Sequence, residues 1–402
     1  MQPLESYMPN GMIMPGAMRS FTENATRITP NAAFEYLAKA KALERQGKKV
    51  LHFEIGEPNL DTPEHITDAA VKALRDGRTR YVNSNGIIEL REAICEEVEK
   101  TRGFRPDTDQ ILVTPGGNPI IYYLVTCVAD RRHSIALQDP MFLTYLAVLQ
   151  CSGVRGNMVR LKEENEFRLN PDDLEKAMDE TTRLIIMNSP SNPTGGVMTK
   201  EEIERVAEIA EERDVYLLSD EIYSKMTYDR KHHSAAIRDE CKERTILLDG
   251  FSKSYAMTGW RLGYAVGPRD VIEKMTRILE ATVSCTPEFI QHGGIAALKG
   301  PQFVDRMMKT FRERRDLLVA GLNDIPKLSC VMPQGAFYAF PNITKTGLSS
   351  REFADFAIDK LGIALLPGTG FGPGGEGYVR LSYATGTDTI REALDRLRTG
   401  LE

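Results

Sequence analysis

The segment DGFSKSYAMTGWRLG at residues 249–263 decides how this chain is interpreted. Lys253 lies between two serines, and apolar runs at 245–248 and 262–266 flank the segment as buried strands would. The ordinary alternative is a lysine on an exposed loop, because most lysines lie at the surface. A lysine that is desolvated at a strand end instead has a lowered pKa, and its amine becomes a nucleophile that forms Schiff bases. The small neighbouring residues leave room for a ligand, which favours the second interpretation.

The composition excludes several classes of protein. The chain has 402 residues, enough for two domains, and its net charge of -6 disfavours nucleic acid and anionic membranes as partners. No apolar run approaches the roughly 20 residues that span a bilayer. The first 19 residues lack the features of a secretory signal. The six cysteines contain no Cys-x-x-Cys pair and the six histidines lack metal-ligand spacing. We therefore expect a cytoplasmic protein without a metal site.

Short apolar runs alternate with amphipathic segments from about residue 110 to residue 267. One of these segments, 199–213, is predicted to be a helix that begins with a capping box formed by Thr199 and Glu202. We also predict a helix over 268–296. Strands that alternate with helices predict a mostly parallel sheet with helices on both faces.

After residue 297 the pattern changes to a long helix followed by short strands and further helices, which is typical of an α+β domain. The predicted fold class is therefore α/β, with a large sheet-containing domain and a smaller α+β domain. We place the large domain at 50–296 and the small domain at 297–402. Residues 1–49 are predicted to contribute to the small domain.

Ligands of open α/β sheets bind at the carboxyl ends of the strands, so the segments that follow the apolar runs are candidate binding segments. All of them carry glycine, proline or polar side chains. They are TPGGNP (114–119), DPMF (139–142), NSPSNPTGG (188–196), SDEIY (219–223) and DGFSK (249–253).

Asp220 and Tyr223 follow a strand-like run at 215–218. A buried acid is costly unless it meets a cation, and one such cation is the protonated pyridine nitrogen of pyridoxal 5'-phosphate. A helix N-cap is the alternative role for Asp220. The hydroxyl of Tyr223 would reach a phenolate oxygen, although a packed core tyrosine is the alternative.

Three further features each have a functional interpretation beside an ordinary one. Glycines precede a helix that begins near Pro119, and a helix N-terminus receives phosphate well, although Gly-Gly is often only a turn. Asn192 is presented by a proline-rich loop that would otherwise be a plain connection. Arg380 lies in an apolar strand, where it is either an outward edge residue or the bidentate partner of a substrate carboxylate.

Taken together, these segments resemble the fold-type I pyridoxal-phosphate enzymes, specifically the class I/II aminotransferases that include aspartate aminotransferase-like proteins. The resemblance runs from about residue 30 to the C-terminus, and its parts occur in the family's order. The matching segments are FEIGEPNLDTPEHI, RYVNSNGIIELREAI, VTPGGNP, DPMF, NSPSNPTGG, SDEIY, FSKSYAMTGWRLGYAVG, GAFYAF, LLPGTGFG and YVRLSYAT.

The resemblance implies pyridoxal 5'-phosphate as the cofactor, bonded covalently to Lys253 and paired through its ring nitrogen with Asp220. Together with Tyr223 these are the expected catalytic residues. The remaining cofactor contacts that it implies are Tyr223 and Asn192 at the ring hydroxyl, Phe142 on the ring face, Gly116, Gly117, Asn118, Ser252 and Arg261 at the phosphate, and Tyr81 of the partner subunit. The residues implied at the substrate carboxylate are Gly56, Asn192 and Arg380.

The implied function is transfer of an amino group between an α-amino acid and an α-keto acid by a homodimer with shared active sites. A lyase or a β/γ-replacement enzyme on the same fold is the alternative, and a non-catalytic regulatory domain is a third. The sequence departs from the common pattern at Gly250, where many members carry a serine. Glu280 stands where many aspartate-preferring members carry an arginine, so any recognition of a distal carboxylate would use other residues.

Overall fold

The structure is a computed structural model that describes residues 21–402. The predicted absence of a secretory signal in the first 19 residues therefore falls outside the described residues, as does part of the segment 1–49. Within residues 21–402, no helix is long and apolar enough to cross a membrane.

A seven-stranded sheet forms the centre of the molecule, in the order β2-β8-β7-β6-β5-β3-β4. Its neighbours pair in parallel except β8, which is antiparallel to both β2 and β7. The predicted mostly parallel sheet is thus confirmed. The strands are β2 (Ile111–Thr114), β3 (Ser134–Asp139), β4 (Arg155–Arg160), β5 (Thr182–Asn188), β6 (Tyr216–Asp220), β7 (Thr245–Gly250) and β8 (Gly263–Val266).

Both faces of this sheet are buried, which explains why its strands are continuous apolar runs and do not alternate with polar residues. Ile185 packs in one hydrophobic cluster and Ile186 in another, and Leu217 and Leu218 divide in the same way. Successive side chains of a strand point to opposite faces, so each of these pairs anchors helices on both sides.

Thirteen helices occur in the described part of the chain. They are α1 (Glu23–Arg27), α2 (Ala32–Arg45), α3 (Glu64–Arg75), α4 (Ile88–Arg102), α5 (Asn118–Val128), α6 (Leu143–Ser152), α7 (Pro171–Ala177), α8 (Lys200–Glu212), α9 (Arg269–Val283), α10 (Glu288–Lys299), α11 (Val304–Asn323), α12 (Ser350–Leu361) and α13 (Thr387–Leu401). The predicted capping box begins α8: the Thr199 hydroxyl accepts from the Glu202 N–H at 3.2 Å, and the Glu202 carboxylate accepts from the Thr199 N–H at 2.8 Å.

The prediction of one helix over 268–296 is wrong, because the chain breaks between α9 and α10. Ser284 ends α9 with a φ of 66°, and Pro287 is the N-cap of α10. A proline restricts the residue before it to extended conformations, so a helix ends before such a position.

Two small sheets lie outside the central one. Strands β9 (Tyr338–Ala339), β11 (Leu366–Pro367) and β12 (Val379–Ser382) form an antiparallel sheet in the order β11-β12-β9. Strand β1 (Leu51–His52) pairs in parallel with β10 (Ile363–Ala364). The segment that follows β1 therefore packs on the C-terminal part of the chain. It lies next to β12, where the Ser382 N–H donates to the Phe53 carbonyl.

Candidate active site

A cavity of about 210 Å³ opens where β5, β6 and β7 end. Its walls come from segments far apart in sequence, which the parallel sheet brings to one edge. Ten of the predicted site residues line it: Gly56, Gly117, Asn118, Phe142, Asn192, Asp220, Tyr223, Ser252, Lys253 and Arg261.

Asp220 ends β6 with its carboxylate buried beside the cavity. The Tyr145 hydroxyl donates to Oδ2 at 2.5 Å, and the N–H of Ile222 donates to Oδ1 at 3.2 Å. Burial raises the pKa of Asp220 to about 6, and the Tyr145 hydrogen bond opposes that rise. Asp220 is thus an oriented carboxylate whose charged form would be stabilised by a cation placed next to it. It does not act as a helix N-cap, because a turn follows it.

Lys253 lies in the turn after β7, and its amine donates to the Gly56 carbonyl oxygen at 2.6 Å. The rings of Tyr223 and Phe337 lie about the amine, with centroids 6.0 and 5.9 Å from Nζ. Burial lowers the pKa of Lys253 to about 8, and the positive charge of Arg380 acts in the same direction. A much larger fraction of this amine is neutral at neutral pH than in an exposed lysine, which makes it a better nucleophile.

The start of α5 forms a cradle for an anion. Its N-terminus, with Gly117 as N-cap, presents unpaired backbone N–H groups at the cavity, and Arg261 lies beside them. Gly116 has a φ of 87°, and a Cβ there would lie 2.2 Å from Arg261 Nη2. Only glycine allows the guanidinium to come this close to the loop. A cationic side chain, a helix N-terminus and the buried Ser252 suit a phosphate dianion, so these residues fit pyridoxal 5'-phosphate.

Arg380 lies on β12, with 2 % of its surface exposed. Its Nη1 donates to Asn192 Oδ1 at 3.2 Å, and Nη2 donates to the Glu54 carbonyl oxygen. The rings of Tyr338 and Phe371 lie 4.6 and 5.0 Å from the guanidinium carbon. Its Nε has no hydrogen-bond partner among the described residues. The strand therefore turns this arginine inward, and a buried donor remains for an arriving carboxylate.

Three of the predicted site residues, Gly116, Tyr81 and Arg380, are not among the residues that line the cavity, although Arg380 bonds the lining residue Asn192. Gly116 acts through its contact with Arg261, as described above. Tyr81 is 87 % exposed in the single chain. Glu280 is exposed near the end of α9 and does not line the cavity. Among residues 21–402, no group of three or more His, Cys, Asp or Glu side chains is arranged to hold a metal ion.

Sequence reasoning missed two tyrosines of this site. Tyr145 lies inside α6. Its ring packs edge-on against that of Phe142, with the ring centroids 5.7 Å apart, and its hydroxyl donates a hydrogen bond to Asp220. The hydroxyl groups of Tyr338 and Tyr223 are hydrogen-bonded at 2.7 Å. The Tyr338 hydroxyl also lies against Gly56, where an added Cβ would be 2.2 Å from the hydroxyl oxygen. Both look like ordinary core aromatics in the sequence, and only the tertiary structure shows their partners.

Comparison with known proteins agrees with this geometry. The family model described as aminotransferase class I and II matches residues 48–397. The chain is 43% identical over 359 residues to an aromatic-amino-acid aminotransferase of Thermococcus litoralis, covering 88% of this chain and 92% of that protein. It is 37% identical to an aspartate aminotransferase of Bacillus subtilis, covering 94% and 98%. The solved aspartate aminotransferase of Thermus thermophilus with maleate superposes with a TM-score of 0.91 at 34% identity, covering 95% and 100%.

Proposed function

This chain belongs to the class I and II aminotransferases and is a pyridoxal 5'-phosphate-dependent enzyme of fold type I, and we propose that its preferred amino donors are α-amino acids with apolar side chains. The amino group passes to an α-keto acid. The aromatic-amino-acid aminotransferase among its relatives gives this preference a precedent.

The lining of the cavity carries this proposal. Its only arginines, lysines or histidines among the described lining residues are Lys253 and Arg261. We assign Arg261 to the cofactor phosphate and Lys253 to the reaction, while Arg380 takes the α-carboxylate. Among the described lining residues of the single chain, no cation then remains for a distal carboxylate, whereas Ile55 and Ile121 supply apolar surface. Burial of an apolar donor side chain against such a surface contributes about 2 kcal/mol.

We assign the following roles to the chain's own groups. Pyridoxal 5'-phosphate supplies an aldehyde that condenses with amines and a ring that withdraws electrons. Arg380 and Asn192 fix the substrate α-carboxylate, and this sets the orientation of the Cα–H bond. The rings of Tyr338 and Phe371 pack against the guanidinium and help to fix its position.

Lys253 transfers the proton, while Asp220 at the end of the neighbouring strand and Tyr223 act on the cofactor ring. Lys253, once its amine is free, takes the proton from the substrate Cα and returns it on the same side of the site. Its pKa of about 8 suits a group that both accepts and donates protons near neutral pH. Asp220 keeps a proton on the ring nitrogen of the cofactor through its negative charge. Tyr223 donates toward the ring hydroxyl, held there by Tyr338.

A donor panel tests the substrate class. Cofactor-loaded enzyme is mixed in single turnovers with phenylalanine, leucine, aspartate or lysine, and the cofactor spectrum and released keto acid are followed. We expect a second-order rate constant about 30-fold higher for phenylalanine than for aspartate, the equivalent of about 2 kcal/mol.

Arg380→Lys should slow every donor alike, since lysine lacks the planar fork that binds a carboxylate. A preference for aspartate that Arg380→Lys leaves intact would contradict the proposal. Release of ammonia or of a side-chain fragment would identify a lyase or replacement enzyme instead.

We also propose that the chain works as a homodimer in which Tyr81 completes the site of the partner subunit. Tyr81 is large, aromatic and 87 % exposed in the single chain, and the exposed Leu60, Leu74 and Ile88 lie in neighbouring segments of the sequence. Exposed apolar surface of this kind marks an interface. Sedimentation equilibrium should give twice 45.0 kDa, and Tyr81→Ala should weaken cofactor binding about tenfold. A monomer with full activity would refute this assembly.

The division into domains at 50–296 and 297–402, with the segment before residue 50 joined to the small domain, stays a proposal. It is supported by the antiparallel sheet β11-β12-β9, whose strands all follow residue 297 and lie outside the central sheet. We propose a cytoplasmic location, which six free cysteines support because thiols persist in reducing compartments.

A further inference from the structure

A chain of three titratable side chains leads from Glu44 on α2 through His52 to Glu54, the residue whose backbone carbonyl accepts from Arg380. The carboxylate of Glu54 is completely buried, and its Oε1 lies 2.8 Å from Nδ1 of His52. The other ring nitrogen, Nε2, lies 2.9 Å from Oε1 of Glu44 on α2. Both neighbours are carboxylates and only accept hydrogen bonds, so both ring nitrogens must donate. His52 is therefore an imidazolium that is clamped between two carboxylates.

Glu54 is at the same time a direct neighbour of the substrate-binding arginine through its main chain. Its carbonyl oxygen accepts from Arg380 Nη2, and the neighbouring Phe53 carbonyl accepts from the N–H of Ser382 on the same strand at 2.9 Å. Burial lowers the pKa of Arg380, and the nearby Tyr338, Tyr223 and Glu54 oppose that shift in decreasing order. The Oε2 of Glu54 has no hydrogen-bond partner within residues 21–402. A bare negative charge here would compete with the substrate for Arg380.

We propose that His52 is a positioning residue that neutralises Glu54 and so keeps Arg380 available for the substrate carboxylate. This proposal rests on the proposed role of Arg380. While His52 is charged, the pair presents no net charge to the guanidinium. When His52 loses its proton, Glu54 remains as an anion behind the site and opposes the arriving carboxylate.

The other groups around His52 set the pH at which this happens. Glu54 faces it from the same segment and Glu44 from α2, with Lys41 bound to the far oxygen of Glu44 at 2.9 Å. Strand β10 contributes the uncharged Ile363 and Ala364. Hydrogen bonding to Glu54 raises the pKa of His52 to about 9. A raised pKa keeps the cation at every pH below about 9, so carboxylate binding should weaken only above that pH.

A double-mutant cycle tests the proposal. Cofactor-loaded wild type, His52→Asn, Glu54→Gln and the double variant are titrated with 3-phenylpropionate, a carboxylate without an amine, by calorimetry at pH 7.5. We expect His52→Asn to weaken binding about tenfold, since it leaves the Glu54 charge uncompensated. The double variant carries neither charge and should bind within about twofold of wild type. His133→Asn serves as the matched control, because His133 is half-buried with Asp130 3.0 Å away and should leave binding unchanged.

The pH profile separates this role from a structural one. The ratio of wild-type to double-variant dissociation constants cancels other titrating groups, and it should rise about tenfold as pH passes 9. A flat ratio, an unchanged constant in His52→Asn, or losses that simply add in the double variant would overturn the proposal. If Arg380→Lys also leaves binding of this probe unchanged, it is the proposed role of Arg380 that fails.

Discussion

Lys253→Ala is expected to lower the rate of transamination by about four orders of magnitude, the largest effect of any substitution in this chain. The variant loses the nucleophile that captures the cofactor and the base that moves the Cα proton. Lys253→Arg should be equally inactive, because a guanidinium keeps the charge but does not give up its proton at any working pH. The loss would therefore identify proton transfer and nucleophilicity, and not charge, as the contribution of position 253.

Two measurements check this expectation. Single-turnover rates with phenylalanine give the chemical step, and visible absorbance after gel filtration reports covalent capture of pyridoxal 5'-phosphate. Lys72→Ala, which removes a side chain that is 76% exposed, should match wild type in both. Retention of more than about one per cent of the wild-type rate by Lys253→Ala would show that another base performs the proton transfer.

Asp220→Asn is expected to slow the same step by about 10³-fold. An amide fills the space of the carboxylate but does not hold a proton on the ring nitrogen, so the electron-withdrawing power of the ring falls. Asp220→Glu keeps the charge with a displaced geometry and should lose less. Equal rates for Asp220→Asn and wild type would contradict the assigned role.

The hydrogen bond from Tyr145 allows a graded version of this test. Burial raises the pKa of Asp220 to about 6, and the bond from Tyr145 counteracts part of that rise. The charged form pairs with the ring cation, so the affinity for the cofactor should be present above pH 6 and fall as pH drops below it. Tyr145→Phe removes the bond and should move this midpoint to higher pH. A midpoint that stays in place in Tyr145→Phe would show that the bond does not tune Asp220.

Much of the fold and of the site follows from local sequence because buried strands and their ends have distinctive patterns. Apolar runs such as 215–218 mark strands covered on both faces, and the polar residues that follow them meet at one edge of the sheet. This reasoning brought Asp220, Asn192 and Lys253 to one cavity. It failed at 284–287, where the chain turns between two helices, because it left out the Pro287 signal for a helix boundary.

The rest of the site depends on contacts that no local pattern encodes. Tyr145 and Asp220 are 75 residues apart in sequence, and Tyr223 and Tyr338 are 115 apart. His52 is the last residue of a two-residue strand that pairs with the C-terminal part of the chain, and Glu54 follows two residues later. In the sequence, such an aromatic residue looks like any core aromatic and such an acidic residue like any surface carboxylate. Only the tertiary structure shows the partner that gives each its role.

Borohydride reduction of the cofactor-loaded enzyme, followed by peptide mapping, tests the central claim most directly. Reduction fixes pyridoxal 5'-phosphate to whichever lysine it is bonded to. We predict one phosphopyridoxyl group per chain, on the peptide that contains Lys253. A group fixed on another lysine, or a protein that remains unlabelled at saturating cofactor, would contradict the assignment of Lys253 as the covalent anchor.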